Sequence, residues 1–149
     1  MDKIKKTRNA ISEIHRIMAF NHTLTVNSLE RLVELVKSFN LVDVTRSTND
    51  GSLSLLHWIA EEISNRNQNV RRMLIEFATW LFDHGVNIHP ELYLDSSPID
   101  WAVVAFEEET DGDAQIEQDI ISLIRLYRSK GLRFNNPSYE RQMVAQMGY

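Results

Sequence analysis

An all-α solenoid of about three helix pairs, with a projecting finger after each pair and a capping helix at the C-terminus, is the fold this sequence predicts. Three observations predict it. The stretch Asp50 to Ala60 returns in weaker form at Asp95 to Val103, each copy running from a turn-forming cluster through a Ser to an apolar pair, a polar residue (His57 or Asp100) and a Trp. Apolar runs also end on Asn40, Gly85 and Gly131, which lie 45 and 46 residues apart, and the helix-start serines Ser54 and Ser97 keep a step of 43. Between these landmarks the apolar residues recur at three- and four-residue spacing, the period of helices that bury one face. Self-similarity at such a step marks a stacked architecture in which each unit covers its neighbour.

Taking the elements in order, Ile11, Ile14, Ile17 and Met18 define one face of a first helix over residues 3–20, which Asn21-His22-Thr23 breaks. A second helix, capped by Asn27 or Ser28, carries Leu29, Leu32, Val33, Leu35, Val36 and Phe39, and the short connection makes the two antiparallel neighbours. The first finger spans Leu41 to Leu53, its Asn49-Asp50-Gly51 tip supplying residues that tolerate positive φ. Ser54 to Ser64 forms the third helix, with Leu55, Leu56, Ile59, Ala60 and Ile63 inward. Val70 to His84 forms the fourth, apolar around most of its circumference and therefore expected in the middle of the stack. Gly85 is placed as its left-handed cap. The second finger, Val86 to Ser96, contains Pro90, whose missing amide suits an exposed connection. Ser97-Pro98 opens the fifth helix, with Ile99, Ala102, Val103 and Phe106 inward. The sixth carries Ile116, Ile120, Ile121, Leu123, Ile124 and Tyr127 to Lys130-Gly131, and a last helix after Asn136-Pro137-Ser138 covers the open end of the stack.

The chain's 149 residues suit one domain, and 43% hydrophobic with 25% charged residues is ordinary for a globular chain. The net charge of −5 argues against nucleic acid as the main partner, because phosphate neutralisation needs a basic face. Without cysteine there is no disulfide framework and no thiolate metal site. The N-terminus lacks the features of a secretory signal and no run reaches membrane-spanning length, so a cytoplasmic location without membrane contact is expected.

The motifs Ser54-Leu55-Leu56-His57, Ser97-Pro98-Ile99-Asp100, His84-Gly85-Val86-Asn87 and Lys130-Gly131 resemble degenerate ankyrin repeats, which open a helix with Thr-Pro-Leu-His and close a pair with Gly before a finger. Asp100 replaces the histidine, and the step exceeds the usual repeat of about 33 residues. The excess falls in the loop Asn65 to Asn69 and in the acidic loop. The resemblance implies a non-catalytic scaffold that presents fingertips and the first helix of each pair to a protein. On that reading the partner-binding residues are Trp58 and Trp101 on the groove, Arg46, Asn49 and Asp50 on the first finger, Glu91, Tyr93 and Asp95 on the second, and Arg133 and Asn136 on the third. The alternative for both tryptophans is ordinary core.

Residues 107 to 119 carry Glu107, Glu108, Glu109, Asp111, Asp113, Glu117 and Asp119 without a Lys or Arg, a solvated loop that places carboxylates at the start of the sixth helix, where they favour its dipole, and that could also meet a basic partner. A calcium loop fails there because Gln118 stands where a bidentate carboxylate is required. His84 and His89 fit no closed metal site, and His84 is expected to serve the C-terminus of the fourth helix, as His57 is expected to bond neighbouring finger backbone. No phosphate loop, nucleophile elbow or zinc-binding helix is present. Neither catalytic residues nor a cofactor or metal are expected. The function expected is a protein-protein interaction module, a small inhibitor or immunity-type protein that binds and blocks a partner. A secreted microbial effector docking on a host protein, a metal-dependent helical enzyme using the 107–119 loop, and a structural subunit are the alternatives.

Overall fold

A computed structural model describes residues 2–19, 24–49, 51–109 and 111–147. Within them the chain forms α1 (Lys3–Ala19), α2 (Val26–Phe39), β1 (Thr45–Thr48), β2 (Gly51–Ser54), α3 (Leu55–Glu62), α4 (Gln68–Asp83), α5 (Pro98–Glu108), α6 (Ala114–Ser129) and α7 (Pro137–Met147). The protein is mostly helical, with one small antiparallel sheet. Helices pack within the pairs α1 and α2, α3 and α4, and α5 and α6. Between pairs, α2, α4 and α6 touch in series, and so do α3, α5 and α7. One apolar cluster runs from Ala10 in α1 to Met143 in α7.

The ends of the pairs repeat one local geometry. Asn40 (φ 51°), Gly85 (φ 80°) and Gly131 (φ 94°) all adopt the left-handed conformation. The next amide then reaches back over the last turn: Leu41 N–H donates to Val36 O at 3.0 Å, Val86 to Leu81 at 3.1 Å and Leu132 to Tyr127 at 3.1 Å. This satisfies a carbonyl that the helix end would leave orphaned and turns the chain into the next connection at each pair.

Helix starts follow side-chain caps. Ser54 Oγ accepts from His57 N at 3.2 Å. Ser97 Oγ accepts from Asp100 N at 3.4 Å while Asp100 Oδ2 accepts from Ser97 N at 3.0 Å, a reciprocal capping box with Pro98 in the first turn. The second helix differs from expectation, because its cap is Thr25, whose hydroxyl accepts from Ser28 N at 3.1 Å; Asn27 and Ser28 lie inside the helix. In α1 the buried stripe is Ala10, Ile14 and Met18, with Ile11 and Ile17 at its flanks and Ile4 68% exposed. The expected break at Asn21-His22-Thr23 lies outside the described residues. Helix α4 touches α2, α3 and α6 as a central helix should, yet Met73, Ile75, Trp80 and Phe82 remain half-buried, so its apolar circumference is covered on one broad side.

In the first finger β1 and β2 pair antiparallel with Thr45 opposite Ser54 and Thr48 opposite Gly51. His15 Nε2–H donates to Thr45 O at 2.8 Å, tying this finger to α1. Gly51, at φ 124°, also bridges to Tyr93 of the next connection, and a Cβ there would stand 2.9 Å from Leu92 O. Backbone cannot retreat as a side chain can. Gly51→Ala is therefore expected to cost about 1–3 kcal/mol in urea unfolding and to loosen the first finger from the second; an unchanged midpoint would contradict the close approach.

Candidate functional site

The connections between helix pairs lie side by side and are fastened to one another one pair apart. Asn87 N–H donates to Asp43 Oδ1 at 2.7 Å, and Asn135 Nδ2 donates to Asp95 O at 2.6 Å. Beneath them, His57 donates through Nε2 to Ser96 O at 3.0 Å, and the Ser54 hydroxyl donates to its Nδ1 at 2.8 Å. Asp100 fills the equivalent place one pair later, accepting from Asn135 N at 3.0 Å and Asn136 N at 3.3 Å. Both polar residues thus hold the following connection in place, as expected for His57. Burial lowers the His57 pKa from 6.5 to about 4, so the ring is neutral at neutral pH, in keeping with its donor and acceptor bonds.

The tryptophans separate. Trp58 is 1% exposed, one of the largest fully buried side chains, which corrects its groove assignment to core. It sits on a helix whose residues 55–60 are all buried, because α3 lies between its neighbours rather than on an open side. Trp101 is half-buried and works as the floor of the second finger: its Nε1–H donates to Tyr93 O at 3.1 Å, and the Tyr93 ring meets it edge-on with centroids 5.7 Å apart. Tyr93 accordingly points inward and is half-buried.

The remaining predicted residues divide between display and support. Asn49, Glu91, Asp95 and Arg133 are exposed. Arg46 is half-buried; burial raises the pKa of Glu61, and the charge of Arg46 offsets part of that rise. Asn136 is a support, its Oδ1 accepting from Ser138 N at 2.9 Å at the start of α7. Asp50 lies outside the described residues. The connections therefore display Asn49, Glu91, Asp95 and Arg133, while Tyr93 and Trp101 pack beneath the second.

Leu92 and Leu94 were not among the expected residues. They are 38% and 48% exposed, flanking inward Tyr93. Tyr93 and Ser96 exchange backbone hydrogen bonds of 3.0 Å in both directions around Leu94 (φ 52°) and Asp95 (φ 60°), which makes the tip a two-residue turn with both central residues left-handed. Asn and Gly favour such turns, whereas a branched apolar residue there costs roughly 1–2 kcal/mol. Leu94 gains little burial in return.

The acidic loop is largely engaged inside the fold. Arg66 Nη1 lies 3.2 and 3.1 Å from the two oxygens of buried Glu109, and its Nη2 lies 2.9 Å from Asp111. Buried Arg71 donates to Asp119 at 2.7 Å and to the carbonyls of Asn65 and Arg66 at 2.8 and 3.2 Å. Asp113 caps α6 through Gln115 and Ile116. These carboxylates clamp two successive helix-helix loops, and no cluster of three metal-ligating side chains occurs among the described residues. His84 bonds the end of its own helix, its Nδ1 lying 2.8 Å from Trp80 O.

Glu62, at the end of α3, is half-buried and its pKa is raised from 4.5 to about 7, first by burial and then by neighbouring Glu61. The native state keeps a proton that the unfolded chain loses between pH 4.5 and 7, so this group subtracts stability as pH rises through that window. Glu62→Gln is expected to stabilise the protein by roughly 1–2 kcal/mol at pH 8, after allowance for solvent screening, and by little at pH 4.5. Urea titrations at the two pH values check this; an equal gain at both would contradict it.

No helix among the described residues is long and apolar enough to cross a membrane. Comparison with protein-family models, curated proteins and solved structures found no match.

Proposed function

We propose that this chain is a non-catalytic protein-binding module, an ankyrin-like solenoid whose second finger docks on a partner protein, and that it acts as a small inhibitor or immunity-type protein that blocks that partner. The observation that carries the reading is Leu94. A leucine held left-handed at an exposed turn tip opposes folding in its backbone and contributes little to the core, as expected for a side chain retained for contact with something else. Leu92 beside it and the Tyr93–Trp101 floor below give the tip an apolar surface on a firm base. A firm base matters because ordering a loose loop would consume binding energy.

The ankyrin-like reading draws on the three left-handed pair ends, on the finger after each pair and on the way His57 and Asp100 hold the next connection. Docking from a secreted effector would use the same surface. The metal-dependent enzyme is the weaker alternative, since Arg66, Arg71 and the α6 N-terminus already engage Glu109, Asp111, Asp113 and Asp119.

Leu94→Asn separates folding from binding. Asparagine suits the left-handed turn, so the variant is expected to gain about 0.5–1 kcal/mol of stability while losing partner capture. Affinity purification of tagged wild type and variant from the native lysate, with quantified co-purifying proteins, tests both halves. A partner retained in full by a stabilised Leu94→Asn protein would remove the tip from the interface.

A further inference from the structure

Two clefts flank the second connection, and they differ in charge. Between the first and second connections, a cleft of about 150 Å³ is lined by Val42, Asp43, Ser52, Val86, Pro90 and Glu91 among others, and its charged lining side chains are the two acids. Between the second and third, a cleft of about 260 Å³ is lined by Ile88, His89, Pro90, Leu92, Arg133 and Phe134 among others, with Arg133 its one Lys or Arg side chain and no acid in its lining. Pro90 belongs to both, so the clefts are adjacent. Arg133 is exposed and makes no hydrogen bond or ion pair among the described residues, leaving its guanidinium free for a ligand. Glu91 is exposed and holds a 3.3 Å contact from the Ser52 hydroxyl.

From this arrangement we infer that one extended segment of a partner protein crosses the second finger, with an acidic side chain at the Arg133 cleft, a basic side chain at the Asp43 and Glu91 cleft, and an apolar residue between them over Pro90, with Leu92 on the Arg133 side. The inference rests on the binding-module reading and adds the chemistry of the partner. Each cleft is small and open, suited to individual side chains rather than to an enclosed small molecule. Opposite charges on adjacent clefts fix the direction in which a segment lies, while apolar contact with Leu92, Ile88 and Phe134 supplies most of the affinity. An all-acidic or all-basic segment satisfies one cleft and is repelled at the other.

Selection of random peptides displayed on phage against the full chain, run in parallel on wild type, Arg133→Glu and Glu91→Lys, tests it. Both residues are exposed, so thermal melts of the variants are expected to match wild type; Arg133→Gln and Glu91→Gln replace them if a reversed charge unfolds the chain. Wild type is expected to select an acid and a base flanking an apolar residue. Arg133→Glu should select a base where wild type selects the acid, and Glu91→Lys an acid where wild type selects the base. A synthetic peptide of the wild-type consensus should bind each reversed variant about 10-fold more weakly by fluorescence anisotropy, which corresponds to about 1.4 kcal/mol. A consensus unchanged by both reversals would overturn the two-cleft inference and leave the binding-module reading standing. Absence of a consensus on all three would also overturn it, and the module reading would fall with it if native capture were equally empty.

Discussion

Asp100→Ala is expected to destabilise the protein by about 3–5 kcal/mol, against a total of roughly 5–15 kcal/mol for an ordinary domain. Asp100 is fully buried and its carboxylate accepts from Ser97 N, Asn135 N and Asn136 N. Alanine would leave those amides without their acceptor, and at buried Ser97 water has little access to replace it, which costs more than the bond itself contributes. Two structures would fail together, the N-terminus of α5 and the connection leading into α7. Thermal melting should show a midpoint lower by roughly 10 °C for a chain of this size. A shift under about 2 °C would mean that the third connection is held by other contacts.

Trp58→Ala is expected to cost a similar 3–5 kcal/mol, because it opens a cavity in the middle of α3 where residues on every side are packed. Trp58→Phe should cost less than half as much. The indole N–H has no hydrogen-bond partner among the described residues, so the phenyl ring forfeits volume and no bond. Equal losses from the two substitutions would show instead that the N–H is engaged. Neither change should alter the fingers directly, which makes Trp58 a control for effects on stability alone.

Much of this fold is legible from local chemistry. Asn40, Gly85 and Gly131 tolerate left-handed backbone, and all three adopt it; Ser54 and Ser97 are strong caps, and both cap. Thr25 took the cap of α2 although Asn and Ser are the stronger capping residues, because the helix begins at Val26 and Asn27 and Ser28 fall inside it. The tryptophans divide for a tertiary reason. Periodicity assigns Trp58 a place on a helix, but only the neighbouring helices decide whether that side is covered.

The displayed residues of the second finger were harder to read. Glu91, Tyr93 and Asp95 alternate with Leu92 and Leu94, and a stretch containing Pro90 and two left-handed residues lacks the regular ladder that would fix which set points inward. Trp101 decides it by taking Tyr93 as its partner, which sends the leucines outward. The ion pairs of the acidic loop were hidden for a similar reason, since Arg66 and Arg71, its partners, lie one helix pair away in sequence. Glu62 reads as an ordinary surface charge until α3 is placed among its neighbours.

Site-specific photo-crosslinking in the native cell tests the docking claim most directly. A photoreactive amino acid replaces Leu94 in one strain and exposed Gln118, on α6, in another. The account predicts a discrete crosslinked protein from position 94 and none from position 118. Crosslinks from position 118 with none from position 94 would contradict it and move the interface away from the second finger.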